Sequence, residues 1–270
     1  MKKVRNKTEI RFFGMKRSGN HAVVVWLAQH YKSPIYFLNN IKPFEDPFEA
    51  HYDWRRVKNT VDLRPKIVPK EVLVTQVREQ PKKCLLYSYE DLDLRQLANR
   101  ELVANHDEAI GPSQDTYDFV LLRDHYNMLA SRIKNWENEG TTVSVVRAQK
   151  DLELWKVYCR EYLNETSFLK NNKIPVNYNR WFDNEDYRKT ISARIGKDFT
   201  DAGKEVVTPI GKGSSFDGRE FNSNASEMGV LTRWQLMLDN DVLKEVAQDE
   251  EAIALSQSIF AMEAPAALFQ

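Results

Sequence analysis

The chain is short of cysteine, of net charge and of long apolar runs. Only Cys84 and Cys159 are present; nothing in their spacing requires pairing, so reduced thiols in a cytoplasmic protein are the expectation. The 39 basic and 39 acidic residues cancel to a formal net charge of zero. That removes any bulk attraction to nucleic acid or to a membrane surface, and any basic site must be local. No run approaches the roughly eighteen apolar residues of a membrane span. The charged, polar N-terminus has no apolar segment behind it, so a secretory leader is not expected. Repeats and low-complexity linkers are missing too. The 270 residues suffice for one sizeable core, which predicts a single domain over 1–270.

What is there is an alternation of short apolar runs with longer helical patterns. It predicts an α/β fold with a mainly parallel central sheet flanked by helices. Strands are expected at Ile10–Phe13, Ile35–Phe37, Cys84–Ser88, Phe119–Leu122 and Pro175–Tyr178. Helices are expected over Asn20–Tyr31, Tyr126–Glu137, Leu152–Leu169 and Asp186–Ile195, with two more near the C-terminus. The aromatic, charged and proline-bearing stretch Lys42–Lys70 reads as an insertion facing a substrate, or as a plain irregular connection. Asp198–Ser226, rich in glycine and serine, reads as a mobile loop. Trp136, Trp155 and Trp181 read as packing residues, and Asp249–Glu251 as a solvated helix face.

The stretch Glu9–Tyr31, EIRFFGMKRSGNHAVVVWLAQHY, carries the strongest signal. A strand feeds an apolar helix through a glycine-bounded turn holding Lys16, Arg17 and Ser18, and such a turn aims backbone N–H groups and a helix dipole at one point. That point attracts an anion. Gly14 and Gly19 have the spacing of the phosphate loop of nucleotide hydrolases, in which Lys and Ser/Thr follow the second glycine. Here Asn20 and His21 follow it. The cation sits inside the loop and the metal-holding hydroxyl is missing, which points to a phosphate cradle that needs no metal.

YDFVLLRDHYNMLASRIKNW, from Tyr117, repeats the strand-then-helix grammar, with Arg123 at the strand end and Ser131 on the helix. If the two strands are neighbours, both residues flank the crevice at the carboxyl edge where open α/β sheets bind ligands. An arginine at this strand end, where an ATPase often has an acidic metal ligand, favours a second phosphate group over magnesium.

Taken together these segments resemble the sulfotransferases that use 3′-phosphoadenosine 5′-phosphosulfate (PAPS). Their 5′-phosphosulfate loop, roughly Pro-Lys/Arg-Ser-Gly-Thr-Thr after a strand, stands here as Lys16-Arg17-Ser18-Gly19-Asn20-His21. Their 3′-phosphate motif, an arginine at a strand end and a serine eight residues on, matches Arg123 and Ser131. Tyr178 in IPVNYNRWF matches a tyrosine that approaches the adenine. Lys212, Gly213, Ser214 and Ser215 in GKGSSFDG stand where a late loop closes on the 3′-phosphate. The chain departs from the pattern in three places. Asn20 and His21 replace paired threonines, Ala22 replaces the aromatic that stacks on adenine in many members, and the late loop lacks the Arg-Lys-Gly-x-x-Gly form.

The resemblance implies a P-loop-like three-layer architecture and transfer of a sulfuryl group from PAPS, leaving adenosine 3′,5′-bisphosphate (PAP), with no metal required. The acceptor would be a hydroxyl or nitrogen on a small molecule or sugar; neither nucleic acid nor membrane is an expected partner. Arg17 would stabilise charge at the leaving phosphate, with Lys16 as the nearby alternative. A base must take the acceptor's proton. Glu90, after the strand in CLLYSYEDLDL, is the first choice, with His51, Asp53 and His21 open. Two rival readings are a kinase using ATP and magnesium and a non-catalytic nucleotide-binding protein of the same fold.

Overall fold

Strand alternation divides the core into two layers. In the computed structural model, odd and even positions of the central strand face opposite sides of the sheet. Ile10 and Phe12 pack with Val23, Val24, Trp26 and Leu27 of the first helix, whereas Phe13 joins Leu85, Tyr87, Val120, Leu129, Ile133 and Trp155 on the other face. The result is a helix–sheet–helix sandwich. The structure describes residues 3–32, 35–42, 46–48, 54–57, 78–209 and 213–269, with backbone only at 54–57, 100–103 and 105.

The sheet is built from β1 (Asn6–Gly14), β2 (Ile35–Leu38), β3 (Trp54–Val57), β4 (Lys82–Glu90), β5 (Ser113–Leu122) and β6 (Ile174–Asn177) in the order β3-β2-β4-β1-β5-β6. Five strands are parallel, and β3 is an antiparallel edge strand beside β2. All five expected strands are present. Their long apolar runs follow from burial on both faces, as parallel sheets require. The helices are α1 (Asn20–Ala28), α2 (Arg100–Ile110), α3 (His125–Asn138), α4 (Val145–Tyr162), α5 (Tyr178–Asp183), α6 (Glu185–Arg194), α7 (Asp241–Ala247) and α8 (Glu250–Phe260). Among the described residues no helix is long and apolar enough to cross a membrane.

Register places the chemistry. Gly14, the last residue of β1, pairs with Glu90 of β4 on one side and Leu121 of β5 on the other. The loop after Gly14, Glu90 and the end of β5 therefore open onto one edge. From β1 the chain passes through α1 to β2 on one side, and from β4 it crosses to β5 on the other, so this edge is also the topological switch point.

Three expectations are corrected. The helix expected over Leu152–Leu169 runs from Val145 to Tyr162. Ser144 caps it by accepting from Arg147 N, and the left-handed Asn164 (φ 64°) follows its end. The β-branched run before Ala148 hid the early start. Tyr178 does not end a strand but opens α5, because the Asn177 side chain accepts from Arg180 N and caps that helix. The acidic run near Asp249 is no idle solvated face: Asp249 caps α8 and pairs with the buried Lys156 at 2.8 Å. Most of Lys42–Lys70, with His51 and Asp53, lies outside the described residues. So does Lys212 of the late loop.

Candidate functional site

The turn between β1 and α1 is shaped for a backbone cradle. Gly19 is left-handed (φ 91°), and a Cβ there would sit 2.1 Å from the Tyr178 ring. A Cβ on Gly14 would meet Asn20 Oδ1 at 2.1 Å. No side chain caps α1. The backbone N–H groups of Arg17, Gly19, Asn20 and His21 carry no hydrogen-bond partner among the described residues. These are the donors that a helix start leaves open for an anion. Lys16 differs, since its N–H donates to Asp91 Oδ1 at 2.9 Å and its half-exposed ammonium lies 3.8 Å from Asp91 Oδ2.

Above this loop lies a cavity of about 610 Å³. Of the residues expected at the site, Lys16, Arg17, Gly19, Asn20, His21, Glu90, Arg123, Tyr178, Gly213, Ser214 and Ser215 line it, and Ser18 and Ser131 are buried behind the wall. Arg17, itself left-handed (φ 66°), donates to Asn135 Oδ1 and, at 3.1 Å, to the Gly213 carbonyl. Burial lowers its pKa against the raising influence of Glu139 and Glu90. Asn20 Nδ2 donates to Glu90 Oε1 and to the Met15 carbonyl, both at 3.1 Å. His21 Nε2 lies 2.8 Å from Asn39 Oδ1 and 3.6 Å from Glu90 Oε1. Of the residues that replace the paired threonines, Asn20 thus holds the carboxylate and His21 lies beside it.

The second cluster is arginine-rich and buried. Arg123 donates to the carbonyls of Arg17 and Val230 and to Ser131 Oγ at 3.2 Å. Its ring partner is Tyr178, at 5.5 Å. Burial, followed by repulsion from Arg233, lowers the Arg123 pKa to about 10. Arg233 reaches the same Ser131 Oγ at 3.4 Å and Ser214 Oγ at 2.8 Å. The Nε atoms of both arginines and Ser215 Oγ are buried without a partner among the described residues. Ser214 is different: its hydroxyl also accepts from Phe216 N and Asp217 N and donates to Asp217, so it is spent in shaping its own loop.

Between the clusters and the late loop runs an apolar wall of Trp181, Phe182, Val206, Val207 and Met228, with the Lys204 ammonium 4.4 Å from the Phe182 ring. Trp181 stacks on Tyr178 at 5.7 Å, and its Nε1 is buried without a partner. Trp155 donates its indole N–H to the Arg123 carbonyl, whereas Trp26 is core, bonded to the Thr200 carbonyl. At the other end, Arg132 is clamped between Asp91 (2.7 and 3.1 Å) and Asp151 (2.6 Å). Burial alone would raise the Asp91 pKa, but the Arg132 charge and hydrogen bonds and the Lys16 N–H hold it below the ordinary value. Burial raises that of Asp151, which has less help from the same arginine.

Arg233, Arg132, Asp91 and the apolar wall are site residues that sequence reasoning missed. Asp91, adjoining Glu90, Arg132, adjoining Ser131, and Trp181 and Phe182, in the segment of Tyr178, stood beside a recognisable motif.

No family model matches the chain, and no curated protein matches it. Among solved structures it is similar to the sulfotransferase domain from the Synechococcus PCC 7002 olefin synthase, at 12% identity and a TM-score of 0.51, over 97% of this chain and 98% of that one. It is similar to the sulfotransferase domain from the curacin biosynthetic pathway at 13% identity and a TM-score of 0.51, over 95% and 98%. A mouse sulfotransferase, SULT7A1, complexed with PAP, aligns at 11% identity with a TM-score of 0.46, over 93% and 89%. The chain therefore has the α/β fold of sulfotransferase domains.

Proposed function

We propose that the protein transfers a sulfuryl group from PAPS to a hydroxyl or nitrogen of an acceptor, a small molecule by preference, and releases PAP. One observation carries this reading: among the described residues, two separate sets of unpartnered polar groups belong to residues that line one cavity. One set is the N–H groups of Arg17, Gly19, Asn20 and His21; the other is Arg123 Nε, Arg233 Nε and Ser215 Oγ. A buried polar atom without a partner costs about 1–3 kcal/mol; a bisphosphorylated nucleotide would draw on both sets, the buried arginine and serine atoms through a local turn of their side chains. The loop suits a 5′-phosphosulfate and the arginine pair a 3′-phosphate. Phe182, on the cavity wall beside the stacked Tyr178 and Trp181, offers a ring face to the adenine.

The chemistry asks for positioning and charge stabilisation. The acceptor oxygen or nitrogen bonds to sulfur while the bond from sulfur to the 5′-phosphate oxygen breaks, and that phosphate leaves with the electron pair. Arg17 and the loop N–H groups stabilise the charge that develops there. Glu90 takes the acceptor's proton; Asn20 holds its carboxylate with His21 beside it, and its end-of-strand place beside Gly14 puts it at the loop's mouth. Lys16 is the weaker candidate for the leaving phosphate, since its N–H and ammonium both turn to Asp91. The test is transfer of labelled sulfuryl from PAPS to a panel of phenols, alcohols, amines and sugars, with Glu90→Gln as control. Transfer in the wild type that drops about 100-fold or more in the variant is expected; equal transfer by both would remove Glu90 from the mechanism.

A further inference from the structure

The arginine pair raises a problem of its own. Two buried guanidiniums converge on the single hydroxyl of Ser131, and each is left with an unpartnered Nε. Among the described residues only one carboxylate lies within ion-pair distance of either: Asp217, 3.1 Å from Arg233 Nη2 and one-quarter exposed. The Asp124 carboxylate, close to Arg123 in sequence, is occupied by Asn127 and Asn179. Phe216 lies 5.2 Å from the Arg233 guanidinium and carries no charge. Arg233 lines the cavity, whereas Asp217 does not and approaches from the late loop through the shared Ser214 hydroxyl at 2.9 Å. A phosphate reaching Arg233 from the cavity would leave that guanidinium between two anions.

We propose that Asp217 is an internal counter-anion that weakens the hold of Arg123 and Arg233 on a nucleotide 3′-phosphate and so promotes release of PAP. The inference rests on the donor reading above. Its physical basis is that donor and product carry the same 3′-phosphate. Binding energy spent on that group is uniform along the reaction: it lowers KM without raising kcat, and it holds the product as firmly as the donor. Where product release limits turnover, excess affinity is harmful. A carboxylate beside Arg233 keeps that arginine paired when no phosphate is present and repels the phosphate when it is.

Asp217→Asn separates charge from geometry, because the amide oxygen still accepts from Arg233 and Ser214. Calorimetric titration of the wild type and the variant with PAP and with adenosine 5′-monophosphate is the experiment. The variant should bind PAP on the order of tenfold more tightly, with the monophosphate unchanged and product inhibition by PAP strengthened. PAP binding that is unchanged or weaker in the variant, with the monophosphate retained, would mean that Asp217 merely holds Arg233 and would overturn the inference alone. A wild type that does not bind PAP would overturn the donor reading and this inference with it. Should Asp217→Asn fold poorly, Asp217→Ser removes the same charge and carries the same expectations.

Discussion

The two ends of the cavity use charge in opposite ways. At the Arg123 end, among the described residues, Arg123, Arg233 and Ser215 keep buried polar atoms unpartnered, and Asp217 is the one carboxylate in ion-pair reach, of Arg233. At the Arg132 end, Asp91 and Asp151 bracket one arginine and Lys16 closes on Asp91. The first arrangement is poor as scaffolding, and the proposed function reads it as a receptor. The second is good scaffolding, fastening β4 and the β1–α1 loop to α3 and α4. Charge content alone does not distinguish them; the pairing does.

That contrast can be broken by substitution, the largest effect coming first. Arg132→Met leaves two half-buried carboxylates without their shared cation and should lower the unfolding free energy by about 3 kcal/mol. Urea unfolding reads this directly, and a loss under about 1 kcal/mol would mean the pairing is ornamental. Arg17→Ala should lower turnover about 100- to 1000-fold while the acceptor still binds; unchanged turnover removes Arg17 from the mechanism. Arg123→Ala should weaken PAP on the order of 30-fold and adenosine 5′-monophosphate far less. Equal weakening of both would sink the assignment of Arg123 to the 3′-phosphate.

The smallest effect lies beside the receptor end. His125 opens α3, is fully buried, and reaches Ser256 Oγ of α8 through Nδ1 at 2.7 Å. Burial pushes its pKa down from 6.5 to about 3. The unfolded chain therefore takes up a proton near pH 6.5 that the fold resists until about pH 3. The stability from a neutral His125 is complete above pH 6.5 and falls by about 1.4 kcal/mol per unit below it. A urea midpoint that stays flat between pH 7 and 5 would contradict this.

Much of this was legible in the sequence because it is local. The β1–α1 loop and the Arg123–Ser131 spacing each lie within one strand–turn–helix unit, where periodicity and glycine placement carry the signal. Arg233 was not legible. It opens a short 3-10 turn, Arg233–Met237, and meets Ser131 from 102 residues away. The clamp of Asp91 on Arg132 spans 41 residues and involves one ordinary charge from each segment. The near-equivalence of Ser214 and Ser215 dissolved only in three dimensions, where one hydroxyl is spent within its own loop and the other is left without a partner. The start of α4 was hidden by β-branched residues around its Ser144 cap, whose single hydroxyl is a weak mark in a threonine- and valine-rich run.

The central claim is that one cavity holds two phosphate sites. Calorimetric titration of the wild type with PAP, beside ATP with magnesium in the same buffer, tests it most directly. The account predicts micromolar PAP binding without added metal and little binding of ATP. Tight, magnesium-dependent ATP binding with no response to PAP would contradict it.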